Sequence, residues 1–208
     1  MRLIVATNNA GKLEELRGLL PTFVDLVTMS EAGLDSPDET GELFLDNAML
    51  KAHSAAPFAD GAIADDSGLE VAALDGAPGV RSARYSGLHA SDEDNNRALL
   101  QALDHIPDEQ RRARFVSCVV LEMKDGRRWH AEGSISGSIL RTPRGCGGFG
   151  YDPLFEIDDP CAGEFNRRTV AELRREDKNQ VSHRARAYQA LLKMLNEEQV
   201  WQEGEVNQ

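Results

Sequence analysis

Asp65 and Asp66 are adjacent carboxylates, preceded by the apolar run Ala62-Ile63-Ala64 and followed by Ser67-Gly68-Leu69-Glu70-Val71. Neighbouring aspartates repel each other, so a cation must compensate them. A hard divalent ion suits that role. Mg²⁺ takes one or two carboxylates and leaves its other positions to water and phosphate. If Ile63 and Ala64 end a buried strand, the carboxylates emerge at its tip. Asp, Ser and Gly also build plain solvated turns, so the stretch acquires chemical meaning only from what accompanies it.

Phosphate-binding chemistry is available near the start of the chain. Thr7-Asn8-Asn9-Ala10-Gly11-Lys12 lies between an apolar run, Leu3 to Ala6, and a segment in which Leu13, Leu16 and Leu20 fall on one helical face. A polar loop between a strand end and a helix start offers backbone N–H groups and a helix dipole to an anion, and Lys12 adds a point charge. The spacing is not that of a Walker loop. Further along, Asp38 and Glu39 precede a helix expected from about Leu43 to Ala55, on which Asn47 and Lys51 share a face. Either acidic residue could supply a second metal carboxylate, with Lys51 turned toward Asp66. Gly145-Cys146-Gly147-Gly148-Phe149-Gly150-Tyr151-Asp152-Pro153 is glycine-dense and carries aromatics able to stack on a flat ligand. Ser182 is a candidate N-cap for a helix whose Tyr188, Leu191, Leu192 and Leu195 form an apolar stripe. That places His183 and Arg184 in the first turn, where cations oppose the helix dipole and suggest an anionic or acceptor-rich ligand.

These groups need a scaffold, and composition permits one. The chain has 208 residues, 41% of them hydrophobic, enough for a core of one large domain or two small lobes. The net charge of −12 disfavours non-specific binding to nucleic acid or to anionic membrane. No run approaches membrane-spanning length. The cysteines, Cys118, Cys146 and Cys161, are odd in number and lack Cys-x-x-Cys spacing. That argues against a disulfide framework or zinc site and fits a reducing cytoplasm. Strands are expected at Leu3 to Ala6, Val24 to Val27, and Arg114 to Lys124. Asp125-Gly126 then turns into Arg128 to Glu132, and a further strand is expected from Gly133 to Leu140. Ser91 caps a helix with Leu99, Leu100, Leu103 and Ile106 on one stripe, and the polar tail after Asn196 is expected to fray.

Taken in order, Thr7–Lys12, Asp65-Asp66-Ser67-Gly68-Leu69, Ser82-Ala83-Arg84-Tyr85-Ser86-Gly87, Gly148-Phe149-Gly150-Tyr151-Asp152-Pro153 and Ser182-His183-Arg184 resemble the inosine/xanthosine triphosphate pyrophosphatase family, from Arg2 to about Leu195. The resemblance implies an α/β fold: a long twisted mixed sheet flanked by helices, in two lobes with a central active-site cleft. Residues 1–196 would form that single domain and 197–208 a polar acidic tail. It implies Mg²⁺-dependent hydrolysis of non-standard purine nucleoside triphosphates (ITP, dITP, XTP) to monophosphate and pyrophosphate, by a cytoplasmic homodimer that binds neither nucleic acid nor membrane. Carried over by residue, Thr7, Asn8, Asn9, Ala10, Gly11 and Lys12 hold the triphosphate. Asp66 is general base and metal carboxylate, with Glu39 or Asp38 as the second. Lys51 and Ser67 contact the nucleotide, and Phe149, Gly150, Tyr151, Asp152, Lys178, His183 and Arg184 bind the nucleoside end. This chain departs from the family pattern at Asn8-Asn9, where Gly-Asn is frequent, at Arg81, where many relatives carry an aromatic, and in a longer segment from Asp158 to Arg168. A non-catalytic nucleotide-binding regulator and a pyrophosphatase for modified pyrimidines are the alternatives. The paired carboxylates argue against the first. The Ser-His-Arg and Phe-Gly-Tyr-Asp elements argue against the second.

Overall fold

The computed structural model describes residues 1–7 and 10–200. Among them, β1 (Arg2–Val5), β2 (Asp25–Thr28), β3 (Gly61–Val71), β4 (Arg112–Met123), β5 (Arg128–Ile139) and β6 (Phe155–Ile157) form one sheet in the order β2-β1-β3-β4-β5-β6. β1 pairs in parallel with β2 and β3, and all later pairings are antiparallel. The sheet is therefore mixed and the fold α/β, as the resemblance implies. Helices α1 (Ala10–Arg17) and α2 (Phe44–Ala55) are the crossovers on either side of β1. α1 leads to β2 and packs with α5 (His183–Glu197) on one face, through Leu16, Tyr188 and Leu191 against Val5, Ile63 and Val119. α2 leads to β3 and packs Ala48, Ala52 and Ala55 on the other face, against Ile4, Ala62 and Val120. The chain thus leaves β1 toward one neighbour and returns on the other. Such a reversal opens a crevice at the carboxyl end of the strand where it occurs.

Two strand expectations require correction. Asp65 and Asp66 do not sit at the tip of a strand. β3 continues to Val71 because β4 pairs with it residue for residue, from Gly61–Met123 to Val71–Ala113. It is β1 that stops, at Val5 opposite Ile63. Beyond Ile63, β3 loses its β1 neighbour, and the carboxylates stand beside the edge so uncovered. Likewise Arg128 to Glu132 and Gly133 to Leu140 are one strand, β5. Its alternation of buried Trp129, Ala131, Gly133, Ile135, Gly137 and Ile139 is continuous. The glycines masked it, since they mark the inward face without an apolar side chain. At Gly133 a Cβ would stand 2.3 Å from His183 O and Ala187 N, so the absent side chain lets the first turns of α5 lie directly on the sheet.

Smaller differences follow from local chemistry. α1 begins at Ala10, so Ala10–Lys12 belong to its first turn, and it ends at Arg17 before Gly18. Asn8 and Asn9 lie outside the described residues. A short helix not read from the sequence, α4 (Arg175–Val181), precedes α5, and α3 (Asp92–Ala102) is capped by Ser91, which accepts from Asp94 N. Residues 197–200 are not loose: Trp129 Nε1 donates to Glu198 at 2.6 Å. Residues 201–208 lie outside the description.

The segment from Asp158 to Arg168 is tied to the site-bearing helix. Buried Asp159 takes both guanidinium nitrogens of Arg186 at 3.0 Å and the backbone N–H groups of Ser136 and Cys161. Burial opposes its charge, but Arg186 and the backbone donors outweigh that and bring the carboxyl down to about 2. A depressed carboxyl stabilises the fold above its unfolded value of about 4 and stops doing so as pH falls through about 2. Asp159→Ala is therefore expected to cost about 2 kcal/mol at neutral pH. The gap between wild-type and variant urea midpoints should narrow steadily between pH 4 and pH 2; a gap independent of pH would contradict this.

Candidate active site

Successive side chains on a strand point to opposite faces, and this separates the two carboxylates. Asp66 points to the α2 face. Its Oδ1 accepts from Lys51 Nζ at 3.1 Å and its Oδ2 from Asn47 Nδ2 at 3.2 Å. Asp65 points to the α5 face, where Arg184 Nε lies 3.2 Å and Lys12 Nζ 3.0 Å from its Oδ2. The adjacent charges are thus matched from opposite faces, Asp65 by Lys12 of α1 and Arg184 of α5, Asp66 by Lys51 of α2.

The two sites differ in electrostatic character. Burial alone would raise the Asp65 carboxyl, but Lys12 and Arg184 outweigh it and hold it well below the usual range. For Asp66 burial dominates and raises the carboxyl, only partly offset by Lys51 and Lys12. Asp65 is accordingly a fixed anion that orients two cations, and Asp66 is a carboxylate with enhanced proton affinity. Enhanced proton affinity is what a general base needs. Cys118 pairs with Asp66 across the β3–β4 ladder, and burial together with Glu132 pushes its thiol up to about 12, so it supplies no thiolate nucleophile.

A cavity of about 270 Å³ opens along this edge, lined by Thr7, Glu39, Lys51 and Asp66, by Lys12, Ser67 and Arg184, which Asp65 and Ser67 draw together, and by the 149–152 loop with Lys178 and His183. Glu39 reaches it because Asn47 pins the preceding turn: Gly41 N donates to Asn47 Oδ1 at 2.7 Å. Lys51 Nζ then bridges Glu39 Oε1 at 2.8 Å and Asp66 Oδ1, and Arg84 holds the other Glu39 oxygen at 3.3 Å. Asp38 is exposed and outside the lining, so of the two acidic residues expected here the fold brings Glu39 to Asp66.

At the far end Asp152 organises the glycine-dense turn. It accepts from Phe149 N at 3.0 Å and from Lys178 Nζ at 2.8 Å. Lys178 Nζ and the Arg184 guanidinium both lie over the Phe149 ring, at 4.6 and 5.7 Å from its centroid. His183 stacks on Phe115 at 4.9 Å. Burial and then the charges of Arg184 and Lys178 lower His183 well below its ordinary value, so it is a neutral imidazole. The expectation of two misplaced cations at the start of α5 is therefore half corrected. His183 carries no charge there, and Arg184 is answered by Asp65 and Ser67, whose Oγ accepts from Nη2 at 3.0 Å.

Of the expected residues, Thr7, Lys12, Glu39, Lys51, Asp66, Ser67, Phe149, Gly150, Tyr151, Asp152, Lys178, His183 and Arg184 thus line one cavity, and Asp38 stands outside it. Sequence reasoning missed the work of Asp65, of Asn47 in holding Asp66, and of Arg84. Strand alternation was the one available signal for the first of these. The electrostatic contrast makes a prediction. Asp65→Asn is expected to destabilise the fold by about 3 kcal/mol, because it strands buried Arg184 and Lys12, while Asp66→Asn stays within about 1 kcal/mol, because burial already disfavours that charge. Chemical denaturation of the two variants checks this, and equal losses would contradict it.

Comparison with known proteins agrees with this arrangement. Residues 3–194 match the sequence profile of the Ham1 family. The chain is 48% identical over 204 residues to the dITP/XTP pyrophosphatase of Shigella flexneri, covering 93% of this chain and 98% of that protein. It is 49% identical over 195 residues to the dITP/XTP pyrophosphatase of Thermus thermophilus, covering 92% and 90%. The solved structure of the Staphylococcus aureus Ham1 protein superposes with a TM-score of 0.82 at 38% identity, covering 95% of this chain and all of that one. With a profile spanning nearly its whole length and relatives this similar, the chain belongs to the Ham1 family.

Proposed function

We propose that this protein hydrolyses non-standard purine nucleoside triphosphates (dITP, ITP and XTP) to the monophosphate and pyrophosphate, clearing deaminated purines from the nucleotide pool. The observation that carries the proposal is a single cavity with a buried, proton-seeking carboxylate among lysines at one end and an aromatic with cations at the other. Its relatives named dITP/XTP pyrophosphatases support the substrate class.

The residues divide the work. Asp66 takes a proton from the attacking water. Lys12 and Lys51 balance charge on the triphosphate, and Thr7 and the first turn of α1 offer it donors. Phe149 stacks the purine. Hypoxanthine and xanthine present an acceptor at O6 where adenine presents an amino donor. Arg184, with neutral His183 donating from one ring nitrogen, pairs with O6 and leaves adenine unmatched. Guanine shares O6, so its exclusion falls to contacts at its 2-amino group, for which the 149–152 segment is our candidate.

The donor set fits a divalent cation. Glu39 and Asp66 already converge on one positive charge, Lys51 Nζ, and hard carboxylate oxygens in that arrangement suit Mg²⁺. When bound, the ion would neutralise phosphate charge and lower the pKa of its water. The same proposal includes a cytoplasmic homodimer. Its three cysteines are free, and among the described residues no helix is long and apolar enough to cross a membrane.

Incubation with dITP and Mg²⁺ followed by ³¹P NMR should give monophosphate and pyrophosphate. Binding without turnover would favour the regulator reading, and release of orthophosphate with a diphosphate would overturn the reaction assigned. Asp66→Asn is expected to lower kcat by on the order of 10²-fold or more, with its unfolding transition preserved; near wild-type turnover would move the base elsewhere. Arg184→Ala should reduce kcat/KM for ITP more than for ATP, whereas an equal fall in both would make Arg184 a structural or phosphate residue.

A further inference from the structure

Apart from Arg84, which holds Glu39, the Ser82–Gly87 segment and the start of α3 carry no role in the reaction above, yet they are bonded to the loop that bears Phe149. Gly150 N donates to Asp92 Oδ2 at 2.6 Å, and Asn96 Nδ2 donates to Gly150 O at 2.9 Å. Both peptide groups of Gly150, which has φ +60°, are thereby held by side chains one helical turn apart on α3. Between them Asn95, which is buried, fixes α3 to the neighbouring segment. Its Oδ1 accepts from Ser86 N at 2.9 Å, and its Nδ2 donates to Ala83 O at 3.1 Å. From the loop's side, Tyr151 Oη donates to Ser82 O at 2.9 Å. Asn96 Oδ1 is buried with no hydrogen-bond partner among the described residues. A polar atom left in that state costs stability, and among the described residues the side chain's hydrogen bond is the one to Gly150.

We propose that Asp92 and Asn96 are positioning residues for purine recognition: they clamp Gly150 from α3, and so set the Phe149 ring against Lys178 and Arg184 at the nucleoside end of the cavity. The clamp acts on the loop and not on Lys51 and Asp66, which hang on other elements. A glycine with left-handed φ and partners on both peptide groups is defined in position. Without them the turn keeps Asp152, the Tyr151 hydroxyl and backbone bonds to Ala171, none of which holds Gly150, and the ring samples orientations in which the base is no longer stacked. The inference rests on the reading of Phe149 as the base platform.

The test is steady-state kinetics with dITP and dATP at saturating Mg²⁺, together with inhibition by inorganic tripolyphosphate, which reports the phosphate end alone. Asn96→Ala and Asp92→Ala are expected to raise KM for dITP about tenfold, with kcat changed by less than about twofold. The dITP-to-dATP ratio of kcat/KM should narrow, and the tripolyphosphate inhibition constant should not move. Asp92→Asn keeps an acceptor for Gly150 N–H and should restore most of the wild-type KM. A fall in kcat with KM unchanged, a parallel rise in the tripolyphosphate constant, or an Asp92→Asn variant as impaired as the alanine would each overturn the clamp. Phe149→Ala separates the two levels. If it leaves the dITP KM unchanged, the nucleoside end itself is misassigned and the inference falls with it. If it raises KM while Asn96→Ala and Asp92→Ala do not, only the clamp is wrong.

Discussion

Two ionisable carboxylates cannot be buried side by side unless each is answered by its own positive charge, and in this protein the β-strand does the separating. The pleat sends Asp65 and Asp66 to opposite faces of the sheet. Helices on the two faces, α1 and α5 on one and α2 on the other, supply the cations. The consequence reaches well beyond the pair. On the α5 face, Ser67, Ser117 and Gly133 lie side by side across three strands. Apolar packing is interrupted there, with Leu69, Phe115 and Ile135 in one cluster and Ile63, Val119 and Ala131 in another. The start of α5 lies against the glycine of that row. The polar interruption that divides the core is therefore the same feature that seats Arg184.

Topology decides where the interruption becomes a cleft. β1 ends opposite Ile63 while β3 runs on, so an edge of a central strand is left without a neighbour just where the carboxylates begin. Thr7 and Lys12 come from the chain leaving β1, and Glu39 and Lys51 from the crossover that returns to β3. One strand ending early thus gathers groups from segments far apart in sequence. Electrostatics then sets them apart: the carboxylate with two cations is a fixed anion, and the one where burial prevails has the higher proton affinity.

Much of this was legible in the chain. The Leu3–Ala6 run, the Ser91 and Ser182 caps and the Asn47–Lys51 face are local patterns set by short-range physics, and they stand as read. What was not legible depends on pairing between distant segments. Asp65 and Arg184 are 119 residues apart, so nothing in their spacing says that one answers the other. Arg184 therefore read as a cation awaiting a ligand. The length of β3 is a property of β4, and a run of Asp-Asp-Ser-Gly looks like a turn until a partner strand accounts for its backbone. Glycines on the inner face of β5 read as a break for the opposite reason: they are positions where another element comes so close that no side chain fits.

The division between the two aspartates is the claim on which the account stands, and ¹³C NMR of the protein labelled at the aspartate carboxyl carbon measures it directly. With Asp65→Asn and Asp66→Asn spectra to assign the resonances, a pH titration of the metal-free protein should show Asp66 protonating above the ordinary carboxylate value of about 4 and Asp65 remaining ionised well below it. A shared midpoint, or Asp65 titrating above Asp66, would contradict the separation of base from anchor.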